Sequence, residues 1–474
     1  MTDSKPASSG VILRAGNGDV IGYDESGLVL RLADRVISDI AARLDLAPAD
    51  APRAEVTEAP ELPDDLDAWA IRREGDWVLF QANLPGADSA RGYRRHIDGG
   101  AILAESRGPL LGILGIGGAR AGLASDGPSG FPYHIFAPAD DIGAVGMGGE
   151  GEAEATPLLQ QLPELTHEAL LAESLLARRS AARMSLPLIV VRAETDTAAT
   201  AADLGQGLAV ANLERAAANL TAAAARLGLR TQVLAVTLDY VLEDVSGDAL
   251  AYRDGILALM ERITRSLGAL GFSRPIFLAG FDCGTHRITT GPALHGQWEL
   301  SWNHGDHQLV FTAPSYAFAI DDTGRLTDAG RRAKAELSAE ALLAVQAGAK
   351  WLCPTIQLAE RAGNDIRLIC EASDTLVIDA ADPFGAGASA GFRLDGVTND
   401  AKIKKVEIDP KDRRAVILHC TKRPEGAVEV AYAFGAAPND GPYPANAGAL
   451  RDAWGQGGLH RWALPARLTL TEGA

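Results

Sequence analysis

The chain has 474 residues, 47 % of them apolar and 22 % charged, the profile of a packed globular protein of about two to four domains. That balance excludes wholesale disorder, collagen-like repeats and a disulfide scaffold. With 44 basic against 62 acidic residues the net charge is −18, so the surface repels a phosphate backbone and nucleic acid is not expected as a partner. Cys283, Cys353, Cys370 and Cys420 have no CxxC spacing, which speaks for buried thiols rather than a zinc knuckle or redox pair. The start, MTDSKPASSG, has neither a basic nor an apolar leader region, and no run of about 18 apolar residues occurs. The expectation is a chain made in the cytoplasm without a signal peptide and not inserted in a membrane.

Taken in order, the first thirty residues read as short strands around a GNGD turn at Gly16–Asp19, followed by an amphipathic helix near Leu32–Leu46. A Pro/Ala/acid-rich stretch, 47–65, reads as a linker. Apolar runs broken by glycines, from Trp77 to about Gly118, suggest β structure, and residues 139–156 close this N-terminal region, 1–160. No GxGxxG opens a helix and no GxxxxGK[ST] occurs, so neither nucleotide-binding motif is present and no cofactor is expected.

Residues 161–350 alternate short apolar strands (Leu188–Val191, Val233–Val236, Ile276–Ala279, Leu309–Phe311) with helices near 201–227, 248–270 and 328–346. Buried strands separated by long helices predict an α/β domain with a flavodoxin-like parallel sheet covered on both faces. Its site would lie beyond the carboxyl ends of the strands. After Trp351 the period changes to two, and six short strands between Ile366 and Phe434 predict an antiparallel β-sandwich over 351–474.

The strand at Leu188 leads into Glu194-Thr195-Asp196, the next ends at Asp239, and the last leads into Asp321-Asp322-Thr323-Gly324-Arg325-Leu326-Thr327 and a helix. In the tail come Val428-Glu-Val-Ala-Tyr432-Ala-Phe, Asn446 and Leu450-Arg451-Asp452. This order, over about 187–454, resembles the SGNH-hydrolase superfamily and within it the sialate O-acetylesterase-like carbohydrate esterases. Those enzymes place GQSN after the first strand, QGExD later, and DxxH before the last helix. The resemblance puts Thr195 in the place of the nucleophile, keeps Asp322, leaves Asp239 alone of QGExD, and sets Arg325 where the general base belongs. Arg cannot give up its proton in a protein, so it cannot be a base, and Glu194 brings negative charge to an oxyanion position. The expectation is therefore a non-catalytic copy of the fold, with Thr195, Asp239, Asp322 and Arg325 as vestigial positions. An active carbohydrate O-acetylesterase with an unrecognised triad, or a purely structural assembly subunit, are the alternatives.

Trp298, Trp302 and Tyr316 suit stacking on sugar faces, with Arg325 holding a hydroxyl or carboxylate, and core packing is the plainer role for the rings. His304 and His307, beside Asp306, are weak metal candidates without a third ligand at a recognisable spacing, and no metal is expected. Cys283 and His286 share a loop, where the nearby Asp282 opposes thiolate formation. The Ala/Arg-rich layout with an extra N-terminal segment also resembles spike or fibre proteins of alphaproteobacterial gene transfer agents. That resemblance implies a subunit on the surface of a phage-like particle, homo-oligomeric and joined to other subunits through residues 1–160, that binds cell-surface polysaccharide of the host.

Overall fold

The computed structural model describes residues 66–472 except 88, 141–150 and 163, together with residue 62 and the backbone of three strands near the start. The helix expected at Leu32–Leu46, the GNGD turn, and the linker at 47–65 apart from its described positions lie outside the described residues. The chain divides into two compact units: 1–107 with 130–134, and 108–129 with 135–474.

In the first unit β1 (Gly10–Arg14), β2 (Val20–Asp24) and β3 (Gly27–Arg31) form an antiparallel sheet. A second antiparallel sheet runs β4 (Ala68–Glu74), β5 (Trp77–Ala82), β6 (Arg91–His96) and β7 (Gly99–Ala104). The period-two pattern places Val78, Phe80 and Ala82 on one face, where they pack with Tyr93 and Ala104.

The second unit holds a seven-stranded sheet. Its strands are β8 (Leu110–Gly117), β9 (Ile135–Pro138), β10 (Leu159–Gln161), β11 (Leu188–Thr195), β12 (Thr231–Asp239), β13 (Ile276–Phe281) and β14 (Gln308–Pro314), in the order β10-β9-β11-β8-β12-β13-β14. All neighbours are parallel except β10, which returns antiparallel on β9. Strands β11-β8-β12-β13-β14 follow the doubly wound order 2-1-3-4-5, whose crevice lies where the order reverses around its first strand. That first strand is β8. The expectation that the sheet begins at Leu188 is corrected: β8, β9 and β10 all precede Leu188–Thr195, which stands second to β8 in the doubly wound order. Glycines at 112, 115 and 117 obscure β8 in the sequence, although its backbone is central and almost wholly buried.

Among the described residues six helices accompany the sheet: α1 (His167–Ala181), α2 (Ala201–Leu204), α3 (Leu208–Leu227), α4 (Ala249–Ala269), α5 (Pro292–Trp302) and α6 (Asp328–Gln346). Side chains of Thr166, Thr200, Asp248 and Thr327 cap α1, α2, α4 and α6. The helix expected over 201–227 is broken into α2 and α3 by Gly205-Gln206-Gly207, since glycine disfavours the helical state. Apolar stripes such as Val210, Leu213, Ala217, Leu220 and Ala224 on α3 are buried. Among the described residues no helix is long and apolar enough to cross a membrane.

Beyond α6 lie ten more strands. β15 (Thr355–Ala362), β16 (Asp365–Glu371), β18 (Phe392–Asp395), β19 (Ile403–Ile408), β20 (Ala415–Cys420), β21 (Glu429–Tyr432) and β24 (Ala466–Glu472) form one sheet. It is antiparallel except where β15 meets β24. β17 (Leu376–Ile378), β22 (Leu450–Gln456) and β23 (Leu459–Trp462) form a second, antiparallel one. These sheets belong to the same compact unit as the α/β portion. The Trp351 indole donates to Thr312 O at 3.2 Å, so the C-terminal part occupies a carbonyl of edge strand β14, and just past that strand Tyr316 Oη donates to Ala463 O at 2.7 Å.

Candidate functional site at the strand ends

Parallel register sets three residues in one row at the carboxyl edge of the sheet: Gly117 of β8 pairs with Thr195 of β11 and with Asp239 of β12. The chain then turns through Gly118 and Ala119 to Arg120. The turn needs its glycines: a Cβ at Gly117 would lie 2.6 Å from that of Ala121, and one at Gly118 would lie 2.5 Å from the Glu243 carboxyl carbon. Beyond this edge is a pocket of about 50 Å³ lined by, among others, Arg120, His167, Asp239, Asp282, Ser315 and Lys334.

Its charges are paired with one another. Arg120 Nη1 donates to Asp282 Oδ2 at 2.5 Å, and Nη2 reaches Gly324 O at 3.4 Å. Asp282 is held from behind, its N–H donating to Gln297 Oε1 and its Oδ1 accepting from Gly284 N. The adjoining carboxylate Asp282 raises the Arg120 pKa further, so this cation is permanent. Lys334 Nζ donates to Asp239 Oδ2 at 2.9 Å. Burial pushes the Asp239 carboxyl up, but Lys334 and Arg120 outweigh it and hold it below the usual carboxylate range. Burial first, then Lys334, lowers His167 to about 3, so its imidazole is neutral. His167 Nε2 lies 3.4 Å from Ser338 Oγ, while its buried Nδ1 has no hydrogen-bond partner.

Of the four expected vestigial positions only Asp239 lines this pocket. Thr195 is buried at the end of β11. Its neighbour Glu194 faces the core, 3.5 Å from Arg192 Nη1, and Arg192 is itself fully buried against Asp140. Asp322 and Arg325 are exposed on a turn, where Arg325 N–H donates to Asp321 Oδ1 at 3.0 Å. With β8 as the first strand, the chain leaves the carboxyl edge of that strand through Gly117-Gly118-Ala119-Arg120. The run Gly112–Gly118, apolar and ending in Gly-Gly, was the signal for this strand end in the sequence.

The stacking residues separate. Tyr316 is fully buried, its hydroxyl on Ala463 O and 3.2 Å from that of Tyr432, and it offers no face to a ligand. Trp298 is half-buried with its indole N–H on Ile356 O. Trp302 is 47 % exposed, but α5 runs back from the β13 end toward the start of β14, so this ring sits at the amino end of the sheet. His307 packs edge-on against Phe277, and among the described residues no three His, Cys, Asp or Glu side chains are grouped to hold a metal. Burial pushes the Cys283 thiol up to about 12, which makes it inert. Sequence reasoning missed Arg120, His167, Asp282 and Lys334, which come from four separate elements. It had noted Asn446, whose Nδ2 donates to Cys283 O and Thr289 O, both at 2.8 Å, and so holds the loop carrying Asp282.

No protein-family model matches the sequence, and no curated protein matches it. Among solved structures the chain is similar to a carbohydrate acetylesterase from Xanthomonas citri, with a TM-score of 0.52 at 15 % identity, over 80 % of this chain and 85 % of that one. The likeness is one of fold, a parallel α/β portion accompanied by antiparallel sheets.

Proposed function

We propose that the chain is a carbohydrate-binding protein that keeps an O-acetylesterase fold, with the C-terminal sheets as its β-sandwich, and does not hydrolyse esters. The reading rests on Ala119. Ester hydrolysis on such a scaffold needs a hydroxyl nucleophile beyond the first strand, a base to take its proton, and donors for the oxyanion. Ala119 has no hydroxyl, and the adjacent Arg120 is locked on Asp282. The neutral His167, lowered to about 3, is a feeble proton acceptor at neutral pH. Carbohydrate as the ligand class follows from the kind of enzyme whose fold the chain shares.

A second reading, an esterase with a rebuilt site, draws on the same fold and on Ser315, which lines the pocket and accepts from Cys283 N at 2.8 Å. One pair of assays decides. Purified protein is tested on 4-nitrophenyl acetate and acetylated xylan, and separately on an array of bacterial polysaccharides. Polysaccharide binding without turnover supports the proposal, whereas turnover abolished by Ser315→Ala establishes the esterase. A place on a phage-like particle, with attachment through residues 1–160, rests on sequence layout alone, and antibody labelling of isolated particles tests it.

A further inference from the structure

Positive charge is unevenly placed along this chain. Although the net charge is −18, residues Lys402–Arg423 carry eight basic side chains against three acidic ones, and hold five of the chain's eight lysines. They form the hairpin of β19 and β20, in which Ile403 pairs with Cys420 and Ile408 with Val416, and β19 is an edge strand of its sheet. The three acids are all engaged: Glu407 is bonded to Lys405 and His419, while Asp409 and Asp412 hold Arg367. Arg423 is paired with Glu472. Lys402, Lys404, Lys411, Arg413, Arg414 and Lys422 are exposed, and among the described residues none of their side chains forms an ion pair.

The unpaired cations gather at the two ends of the hairpin. Lys402, Lys404 and Lys422 lie at its open end, where Thr421 N–H donates to Lys402 O, and Lys411, Arg413 and Arg414 lie at its turn. The six residues of β19 set the two clusters about 20 Å apart, at roughly 3.3 Å per residue. Lysine on an edge strand guards it against pairing with another sheet, which accounts for Lys404. It accounts for neither Lys422 nor the three cations at the turn. Like charges held unpaired on one hairpin repel one another, and an anion that spans them removes that cost. A small anion meets one cluster. An extended polyanion meets both, because binding at the first raises its effective concentration at the second.

Two kinds of polyanion fit less well. The stretch 402–423 has no Phe, Tyr or Trp, so nothing there stacks on nucleobases. No large apolar side chain of the hairpin is exposed, so nothing there enters a bilayer. We infer that the β19–β20 hairpin binds an acidic polysaccharide, a polyuronate laid along the edge strand with its carboxylates at both clusters. The inference rests on the carbohydrate-binding reading above and gives it a ligand class. It places that ligand on residues none of which lines the carboxyl-end pocket.

Biolayer interferometry on the full chain tests it, with immobilised polygalacturonate as the acidic probe and dextran as the neutral one. The expected result is binding to polygalacturonate and not to dextran at about 50 mM salt, lost by about 500 mM because exposed charges are screened. Replacing either cluster should weaken that binding at least tenfold: Lys402→Gln with Lys404→Gln and Lys422→Gln, or Lys411→Gln with Arg413→Gln and Arg414→Gln. A control of matched charge, Arg107→Gln with Arg215→Gln and Arg230→Gln, should leave it within about twofold. All these side chains are exposed, so the variants keep the fold, and unchanged melting temperatures verify it. A control that weakens binding as much as either cluster does overturns the hairpin as the site and leaves the carbohydrate reading intact. So does binding to another polysaccharide of the array without binding to polygalacturonate. Phosphatidylglycerol vesicles or oligothymidylate that bind the hairpin more tightly than polygalacturonate does overturn the ligand class. Folded protein that binds no polysaccharide overturns both readings.

Discussion

The guanidinium of Arg120 and the carboxylate of Asp282 meet at 2.5 Å directly beyond the first strand of the parallel sheet. Arg120 side chain is 20 % exposed and Asp282 8 %, so the pair is largely withdrawn from water. Removing one partner leaves the other charge buried alone, which is much costlier than losing a surface ion pair. Arg120→Ala should destabilise the protein by about 3 kcal/mol. Asp282→Asn, which keeps the bond from Gly284 N, should cost less. Urea unfolding of the three proteins checks this, and equal midpoints would show that the pair contributes nothing.

Restoring a hydroxyl should not restore chemistry. Ala119→Ser places an oxygen in the turn just beyond the first strand, but Arg325 is exposed and does not line the pocket, although its neighbour Leu326 does. The expected 4-nitrophenyl acetate rate is that of buffer for the wild type, for Ala119→Ser and for Ala119→Ser with Arg325→His. A rate in the double variant a hundredfold above buffer would mean that the side chain at 325 reaches the pocket in solution.

Glu194 makes stability depend on pH. Burial raises its carboxyl to about 7, against which Arg192 acts in the lowering direction. The folded state thus holds the Glu194 proton more tightly than the unfolded chain does. The stability this contributes is fully present below about pH 4.5 and is lost as pH rises through about 7. A shift of that size corresponds to roughly 3 kcal/mol. Glu194→Gln should therefore flatten the fall in stability between pH 5 and pH 8, read from melting temperatures across that range. An unchanged slope would assign the fall to other groups.

Truncation should expose the strand order. A fragment beginning at residue 163 lacks β8, which pairs with β11 on one side and β12 on the other, as well as β9 and β10. Without its central strand the sheet has two unpaired inner edges, so the fragment should be insoluble or lack cooperative unfolding. A soluble fragment with a sharp thermal transition would contradict the topology.

The helices of 201–346 and the short strands after Trp351 were legible in the sequence because each depends on local periodicity. Apolar residues recur at helical spacing through α3 and α4, and at period two from Asp365 to Cys420. Polar caps and Gly breaks mark their ends in the same local way. The doubly wound class was legible too, because buried strands separated by long helices admit few arrangements. What the sequence could not decide was which strand came first in space. Strand β8 is separated from β11 by 70 residues of other structure, and its glycines read as turns until neighbouring side chains are seen to occupy the space over them. The pocket charges were equally hidden, since Arg120 and Asp282 are 162 positions apart and Asp239 and Lys334 are 95 apart. Local pattern determines elements. Pairing between distant carboxylates and cations is set only when parallel register brings the strand ends into one row, and that is a property of the folded sheet.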